Sequence, residues 1–235
     1  MGWKMTAIAA AALLAPAAPS GDVLFFDDFS DGVADGWFEL PLGAVYTVEN
    51  GWYCFDHTAP DEAVAGASNG DQGGSMSVAD YSMRVTVIPR AGFVGLAVRF
   101  TGILWQGYML AIDPETDMAA IIRFDGFTAD PTILSGVPHS LEYGQQYWLR
   151  FEVSGQLLGG KIWQGSPEDE PSSWLLLAQD SSYQSPGAIG LGAMDIEEGS
   201  TAVLDADFDE VEVTDDISLS LTQSTWARVK RLGPR

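Results

Sequence analysis

The sequence predicts an all-β fold, a two-sheet antiparallel β-sandwich of the jelly-roll kind, and three observations predict it. Between Val23 and Val213 no segment sustains a 3.6-residue apolar period, whereas many short segments alternate apolar and polar residues as half-buried strands do. Glycine and proline, 26 and 12 of 235 residues, exceed ordinary usage and break these segments apart with turns. The links between segments are too short for crossover helices, so neighbouring strands must run antiparallel. With 46% hydrophobic and 19% charged residues, the chain has the material for one sizeable core.

Taken in order, the first predicted strand is 23–29. Strands 44–48 and 52–56 flank Glu49-Asn50-Gly51, a hairpin-turn signal. Residues 59–74, rich in Gly, Ala and Asp, break the alternation and are predicted as a long surface loop. In 81–87, Tyr81, Met83, Val85 and Val87 alternate with Ser82, Arg84 and Thr86, giving a strand with one buried face. The turn Pro89-Arg90-Ala91-Gly92 precedes strand 93–101, and strands 108–113 and 119–124 flank Pro114-Glu115-Thr116. Strand 147–153 repeats the clean alternation, followed by Ser154-Gly155 and strands 160–163, 174–178 and 188–193. In the last strand, 203–213, Leu204, Ala206 and Phe208 share one phase while Val211 and Val213 take the other. One extra residue near Asp209 is needed to shift the phase, so a bulge is predicted there.

Charge divides the chain. All 33 acidic residues lie between Asp22 and Asp216 with only six of the 11 basic ones, so a nucleic acid or an anionic membrane is excluded as a partner on electrostatic grounds. Residues 1–20 combine Lys4, an apolar run from Met5 to Leu14 and the small residues Ala15 to Ser20. This is the pattern of a signal peptide, with an apolar run too short to span a bilayer. Residues 22–216 are then the sandwich domain, secreted or displayed at a cell surface (extracellular or periplasmic) with no transmembrane segment after cleavage. Residues 217–235 form a basic tail with Arg228, Lys230, Arg231 and Arg235, a candidate docking or sorting element.

A single cysteine, Cys54, excludes an internal disulfide and a cysteine-built zinc site, and its aromatic surroundings point to a buried, inert thiol. Calcium, which takes six to eight oxygen ligands, stays open. Acids are densest at the two ends of the body, and if the first and last strands pair, Asp28, Asp31, Asp207 and Asp209 with backbone carbonyls are the candidate ligands. The competing reading is a solvated acidic edge that keeps the sheet from pairing with other chains. Four of the six basic residues of the body, Arg84, Arg99, Arg123 and Arg150, fall in strands that follow one another. Placed on one sheet face with Trp148 and Glu152, and with Trp105 and Tyr108 as platforms, they would form a polar groove for a ligand such as a saccharide. The alternative is that each arginine pairs with an acid on the next strand. No Gly-x-Ser-x-Gly nucleophile motif occurs. The paired-carboxylate strand of a retaining glycosidase has its nearest counterpart at 193–197, where Ala193 replaces the leading glutamate.

The pieces Leu24-Phe25-Phe26-Asp27-Asp28-Phe29-Ser30-Asp31-Gly32 with Trp37, Glu49-Asn50-Gly51-Trp52-Tyr53, Gly95 to Phe100 leading to Gly107 to Asp113, Tyr147 to Gly155, Gly187 to Leu191 and Asp207 to Val213, in that order and spacing, resemble the concanavalin A-like lectin/glucanase superfamily, laminin G-like jelly rolls. The resemblance spans Val23 to Val213. It implies a concave sheet that often binds glycans and a structural calcium away from that sheet. The expected function is therefore a non-enzymatic carbohydrate-binding or adhesion module of a bacterial cell surface. The alternatives are a polysaccharide-acting glycoside hydrolase using the concave sheet and a purely structural exported subunit.

Overall fold

A computed structural model describes residues 21–69, 76–101, 105–126 and 129–219, with 196–200 as backbone only. Residues 1–20, expected as a signal peptide, the Gly73-Gly74-Ser75 run and residues 220–235 lie outside the described residues. Among the described residues the fold is all-β, with thirteen strands and every pairing antiparallel.

Two long strands organise it: β4 (Trp52–Asn69) and β13 (Ala188–Thr214). They pair with each other from Gly190↔Ser68 to Phe208↔Tyr53, and the register breaks between Ile196 and Thr201. On one side of the break β13 pairs with β6 (Phe93–Thr101), and β7 (Gln106–Asp113), β8 (Met118–Asp125) and β9 (Thr132–Pro138) follow outward. With β2 (Trp37–Glu39) on the other edge, these strands make the first sheet. Beyond the break β13 pairs with β5 (Tyr81–Ala91), and β10 (Tyr147–Ser154), β11 (Leu157–Trp163) and β12 (Leu176–Gln179) continue the second sheet. Its other edge is β3 (Val45–Glu49) on β4.

The ends of the body lie side by side: β1 (Val23–Asp27) pairs with the end of β13, Phe25 opposite Val213 and Asp27 opposite Val211. The bulge predicted near Asp209 is present. Asp209 lies opposite Thr86 but Glu212 lies opposite Arg84, and Glu210 takes a positive φ of 50°. That extra residue lets Phe208 and Val211 both reach the core.

Three features differ from the sequence reading. Residues 59–69 are strand, because Ala63, Ala65 and Ala67 pack inward while Gly66 lies beneath Leu40. Small side chains on both faces suit a close-packed position and hide the alternation. β2 and β9 fall where no strand was predicted, and the segments 188–193 and 203–213 are one continuous strand.

Between the sheets, Phe29, Trp37, Tyr46, Tyr53, Phe55 and Phe208 form a chain of ring contacts with centroids 4.9 to 6.3 Å apart. Asp27 ties the first strand to this cluster by accepting a 2.8 Å bond from the Trp37 indole N–H. At one end of the sandwich Arg99 acts as a lock. A bulge turns it inward with a positive φ of 48°, and its side chain is 1% exposed. It donates to the carbonyls of Ala79 (2.7 Å), Gly155 (2.7 Å) and Tyr183 (2.9 Å) and to the Asp80 carboxylate (2.7 Å), tying three loops together. Removing the guanidinium leaves a cavity at a buried position and takes the donor from four acceptors on partly exposed residues. Arg99→Ala is expected to lower unfolding free energy by about 3–5 kcal/mol in urea denaturation, with Arg99→Lys nearly as harmful because it lacks the planar fork. A loss below about 1 kcal/mol would contradict the assignment of Arg99 as a structural lock.

Candidate functional site

The two sheets present different outer faces. On the first, a groove of about 510 Å³ is floored by Gly66, Gly190 and Gly192 and walled by Leu40, Phe93, Met109 and Phe124. Trp105 stands in this wall, edge-on to Phe100 and Phe124. The described lining is almost wholly apolar, with the Ser68 hydroxyl and the Trp105 indole N–H as its polar side-chain groups. In the strand segment that most nearly resembles a glycosidase motif, Ala193 faces the core and the Asp195 carboxylate accepts the Val203 amide at 2.7 Å. The alternation thus aims Met194, not an acid, at the groove.

The second sheet carries an open hollow of about 880 Å³ between β3, β4, β13 and β5, lined by Thr47, Glu49, Asn50, Trp52, Cys54, Asp56, Arg90, Asp205 and Asp207. The tight hairpin predicted at Glu49-Asn50-Gly51 builds its rim: Asn50 and Gly51 both take positive φ, 54° and 83°, and set Glu49 opposite Trp52. Trp52, Cys54 and Asp56 then project on the outward phase of β4, beside Asp205 and Asp207 on β13. Arg90 reaches over from β5, with its Nε 2.8 Å from Asp207 and its Nη2 on the same oxygen, and Asp205 is 3.8 Å away. Burial, reinforced by Asp207, pushes the Asp205 carboxyl above its ordinary range. Burial also pushes the Cys54 thiol up to about 12, aided by a hydrogen bond and the negative charge of Asp207.

The predicted ligand residues do not converge on one site. Arg84, Trp148, Arg150 and Glu152 do share the outer face of the second sheet, as the alternation required. Each is already engaged there. Arg84 pairs with Glu212 at 2.6 Å, and Trp148 is stacked on Trp163 and donates to the Gly165 carbonyl. Arg150 bridges Glu152 and Glu170, which also takes Lys161 at 2.6 Å. Arg99 is the buried lock described above. Arg123 lies on the inward phase of β8 opposite Tyr108 and emerges at the end of the sandwich, where it meets Asp125 and Asp180. Tyr108 is fully buried and donates to Asp180 at 2.7 Å, and Trp105 belongs to the first sheet. The four-arginine groove is therefore not formed: a bulge turned one arginine inward, strand phase displaced another, and each of the four pairs with an acid.

The expected metal ligands are likewise divided. Asp28 and Asp31 cap their own turn, accepting the amides of Ser30 and Val33 at 3.1 Å each. Asp207 is held by Arg90. Among the described residues no three acidic, histidine or cysteine side chains are grouped as a metal site. Asp209 differs. Burial first, then the charges of Glu210, Asp28 and Asp27, push its carboxyl up to about 6. The turn at Gly51 approaches the Asp28 carbonyl at the same corner. The four aspartates expected as ligands are therefore not gathered at one point.

Residues missed by the sequence reading are Trp52, Asp56, Arg90 and Asp205. Trp52, Asp56 and Asp205 sit on the polar phase of predicted strands, whereas Arg90, read as part of a turn, lies on the outward phase of β5, which runs on to Ala91. What was missing was which strands adjoin.

The fold and the layout of its outer faces define the class: a concanavalin A-like jelly roll. No protein-family model and no curated protein sequence matches the chain. Among solved structures it is similar to the carbohydrate-binding module CBM66 from Bacillus subtilis (17% identity, 76% of this chain and 95% of that one, TM-score 0.54). It is also similar to the VIP36 exoplasmic/lumenal domain in its Ca2+/Man2-bound form (11% identity, 84% and 89%, TM-score 0.56). A third neighbour is SCLam, a non-specific endo-β-1,3(4)-glucanase of family GH16 (12% identity, 86% and 94%, TM-score 0.56).

The thiol offers a direct check of the hollow. With Cys54 held near pKa 12, alkylation of the folded protein at pH 8 is expected to run at least about 100-fold slower than that of an unfolded control. Equal rates would contradict the described environment.

Proposed function

We propose that the chain is an exported, non-enzymatic module that binds an uncharged glycan in the hollow of the second sheet and holds a structural calcium ion at the Asp209 corner. The observation that carries the reading is the hollow's composition. Trp52 supplies an apolar ring for the C–H face of a sugar, and Asn50, Asp56, Arg90 and Asp205 supply planar donors and acceptors for its hydroxyls. Four carboxylates against one guanidinium disfavour acidic sugars. The first-sheet groove is shallow and offers almost no polar side chain to orient a hydroxyl-rich ligand, and its described lining holds no facing acid pair for hydrolysis.

Three structural neighbours bear on this reading by their descriptions as a carbohydrate-binding module, a mannose-bound lumenal domain and a glucanase. Export and surface location rest on the signal-like residues 1–20. No helix among the described residues is long and apolar enough to cross a membrane. Calcium is supported by the crowded carboxylates around Asp209, where a divalent charge would relieve a half-buried anion.

A glycan array followed by calorimetry tests the first part. Trp52→Ala and Asp56→Ala are each expected to weaken binding by at least about ten-fold, about 1.4 kcal/mol, with Trp105→Ala unchanged. The reverse pattern would move the site to the first sheet. Thermal unfolding tests the second part. Calcium at about 100 times its Kd contributes about 2.7 kcal/mol, a rise of several degrees for a domain of this size, and Asp209→Asn is expected to abolish it. In chelator the raised Asp209 carboxyl favours the fold in its protonated state. The Asp209 contribution to stability is then fully present below about pH 4 and is lost as pH rises through about 6, and calcium is expected to flatten that loss. An unchanged melting temperature with calcium would remove the metal from the account.

A further inference from the structure

The two ends of the body meet at an acidic corner. Asp22 donates its amide to the Asp215 carboxylate at 2.7 Å, and the Asp215 amide donates to the Asp22 carbonyl at 3.2 Å, next to the point where Val23 lies opposite Thr214. These two bonds hold the entry to β1 against the exit from β13. They also set the start of the segment that follows. Arg150 donates to the Asp216 carbonyl at 3.3 Å, and the fully buried Glu152 accepts the Ser218 hydroxyl at 3.1 Å and the Leu219 amide. A group that fixes Asp215 therefore steadies both the first strand and the last described residues.

Gly21 is packed into this corner. A β-carbon on it would stand 2.5 Å from the Asp216 amide nitrogen and 2.7 Å from the Asp215 Oδ1, so the seat excludes a side chain. The Gly21 nitrogen is two bonds from that point, which puts it within about 5 Å of the Asp215 carboxylate. In the uncut chain this nitrogen is a neutral amide. The residues before it are Ala18-Pro19-Ser20, with small side chains at the third and first positions ahead of Gly21, the pattern a signal peptidase cuts. Hydrolysis of the Ser20–Gly21 peptide bond by such a peptidase consumes one water and leaves a carboxylate on Ser20. The amine left on Gly21 takes up a proton at neutral pH. The cut thus creates a positive charge, and creates it beside a carboxylate.

We propose that removal of residues 1–20 switches on an ion pair between the new Gly21 ammonium and the Asp215 carboxylate, and that this pair latches the first strand to the last. The proposal rests on the export reading, because the cut supplies the charge, and it adds that the processed form is the more firmly closed one. Asp215 is exposed, so the pair is modest and sensitive to salt. Facing the ammonium are Asp22 from its own end and Asp215 and Asp216 from the exit of β13, with Arg150 of β10 reaching the Asp216 carbonyl. A carboxylate neighbour raises an amine above its unfolded titration range of about 7.7–8.0. The latch therefore contributes fully at neutral pH and is lost as pH rises through the raised value.

The experiment expresses the whole chain from Met1 in an exporting bacterial host and recovers the processed protein. Mass spectrometry is expected to place its N-terminus at Gly21. Proton NMR of the Gly21 α-protons then follows the amine. At low salt it is expected to titrate at least about half a pH unit above the ordinary range, and to fall back into that range in 1 M salt. Asp215→Asn, which keeps the oxygen that accepts the Asp22 amide, should have the same effect as salt, and so should Gly21→Ala, which spoils the seat. Ordinary titration of a protein that does begin at Gly21 would overturn the latch and leave export standing. An uncut chain, or one cut elsewhere, would overturn the cut and the latch together. If the variants do not fold, selective acetylation of the α-amine of the processed protein serves. It should lower the melting temperature at pH 7 and leave it unchanged at pH 10, and equal melting temperatures at both would overturn the latch.

Discussion

One strand has to belong to two sheets. Over its 27 residues β13 pairs first with β6, then with β5, and with β4 on its other side for most of that length. Every other strand finds its layer by where it joins this one. Because side chains on a strand alternate strictly, a strand that serves two layers must keep its apolar phase inward through a bend and a bulge. The register break after Ile196 and the extra residue at Asp209–Glu210 are the two devices that achieve this. The same bulge that sends Val211 inward leaves Asp209 half-buried among other carboxylates, so the crowding of charge at that corner is a by-product of closing the core.

The outer faces follow from the same alternation but differ in composition. On the first sheet the outward residues are glycine, alanine and large apolar side chains, which yields a dry groove. On the second they are charged and aromatic, and most of them are consumed by one another: Arg84 with Glu212, Arg150 with Glu152 and Glu170, Trp148 with Trp163. Toward β3 and β4, where a small Cys54 sits between Trp52 and Asp56, that face opens into a hollow lined by four carboxylates and one guanidinium. Net charge explains why the arginines were used up. A body this acidic leaves a guanidinium few positions without a carboxylate on the next strand.

Much of the fold was legible in the sequence because strand alternation is a local signal. Tyr81 to Val87 and Tyr147 to Val153 each show their buried face directly, and the phase change after Phe208 announced the bulge. The strand at 59–69 was hidden because alanine and glycine on both faces erase the contrast on which alternation depends. The site was less legible for a different reason. Which outward residues meet depends on strand adjacency, and Arg90 on β5 joins Asp207 on β13 across more than a hundred residues of sequence. Arg99 shows the further limit: its phase pointed outward, and a single positive φ turned it into the core.

The central claim is that recognition resides on the second sheet, in the hollow beside Trp52, and not in the first-sheet groove. The most direct measurement is a map of backbone amide shifts while an oligosaccharide ligand is titrated in. The account predicts that the largest changes fall on Asn50, Trp52, Asp56 and Asp205. Changes concentrated on Trp105, Met109 and Gly192 would contradict it.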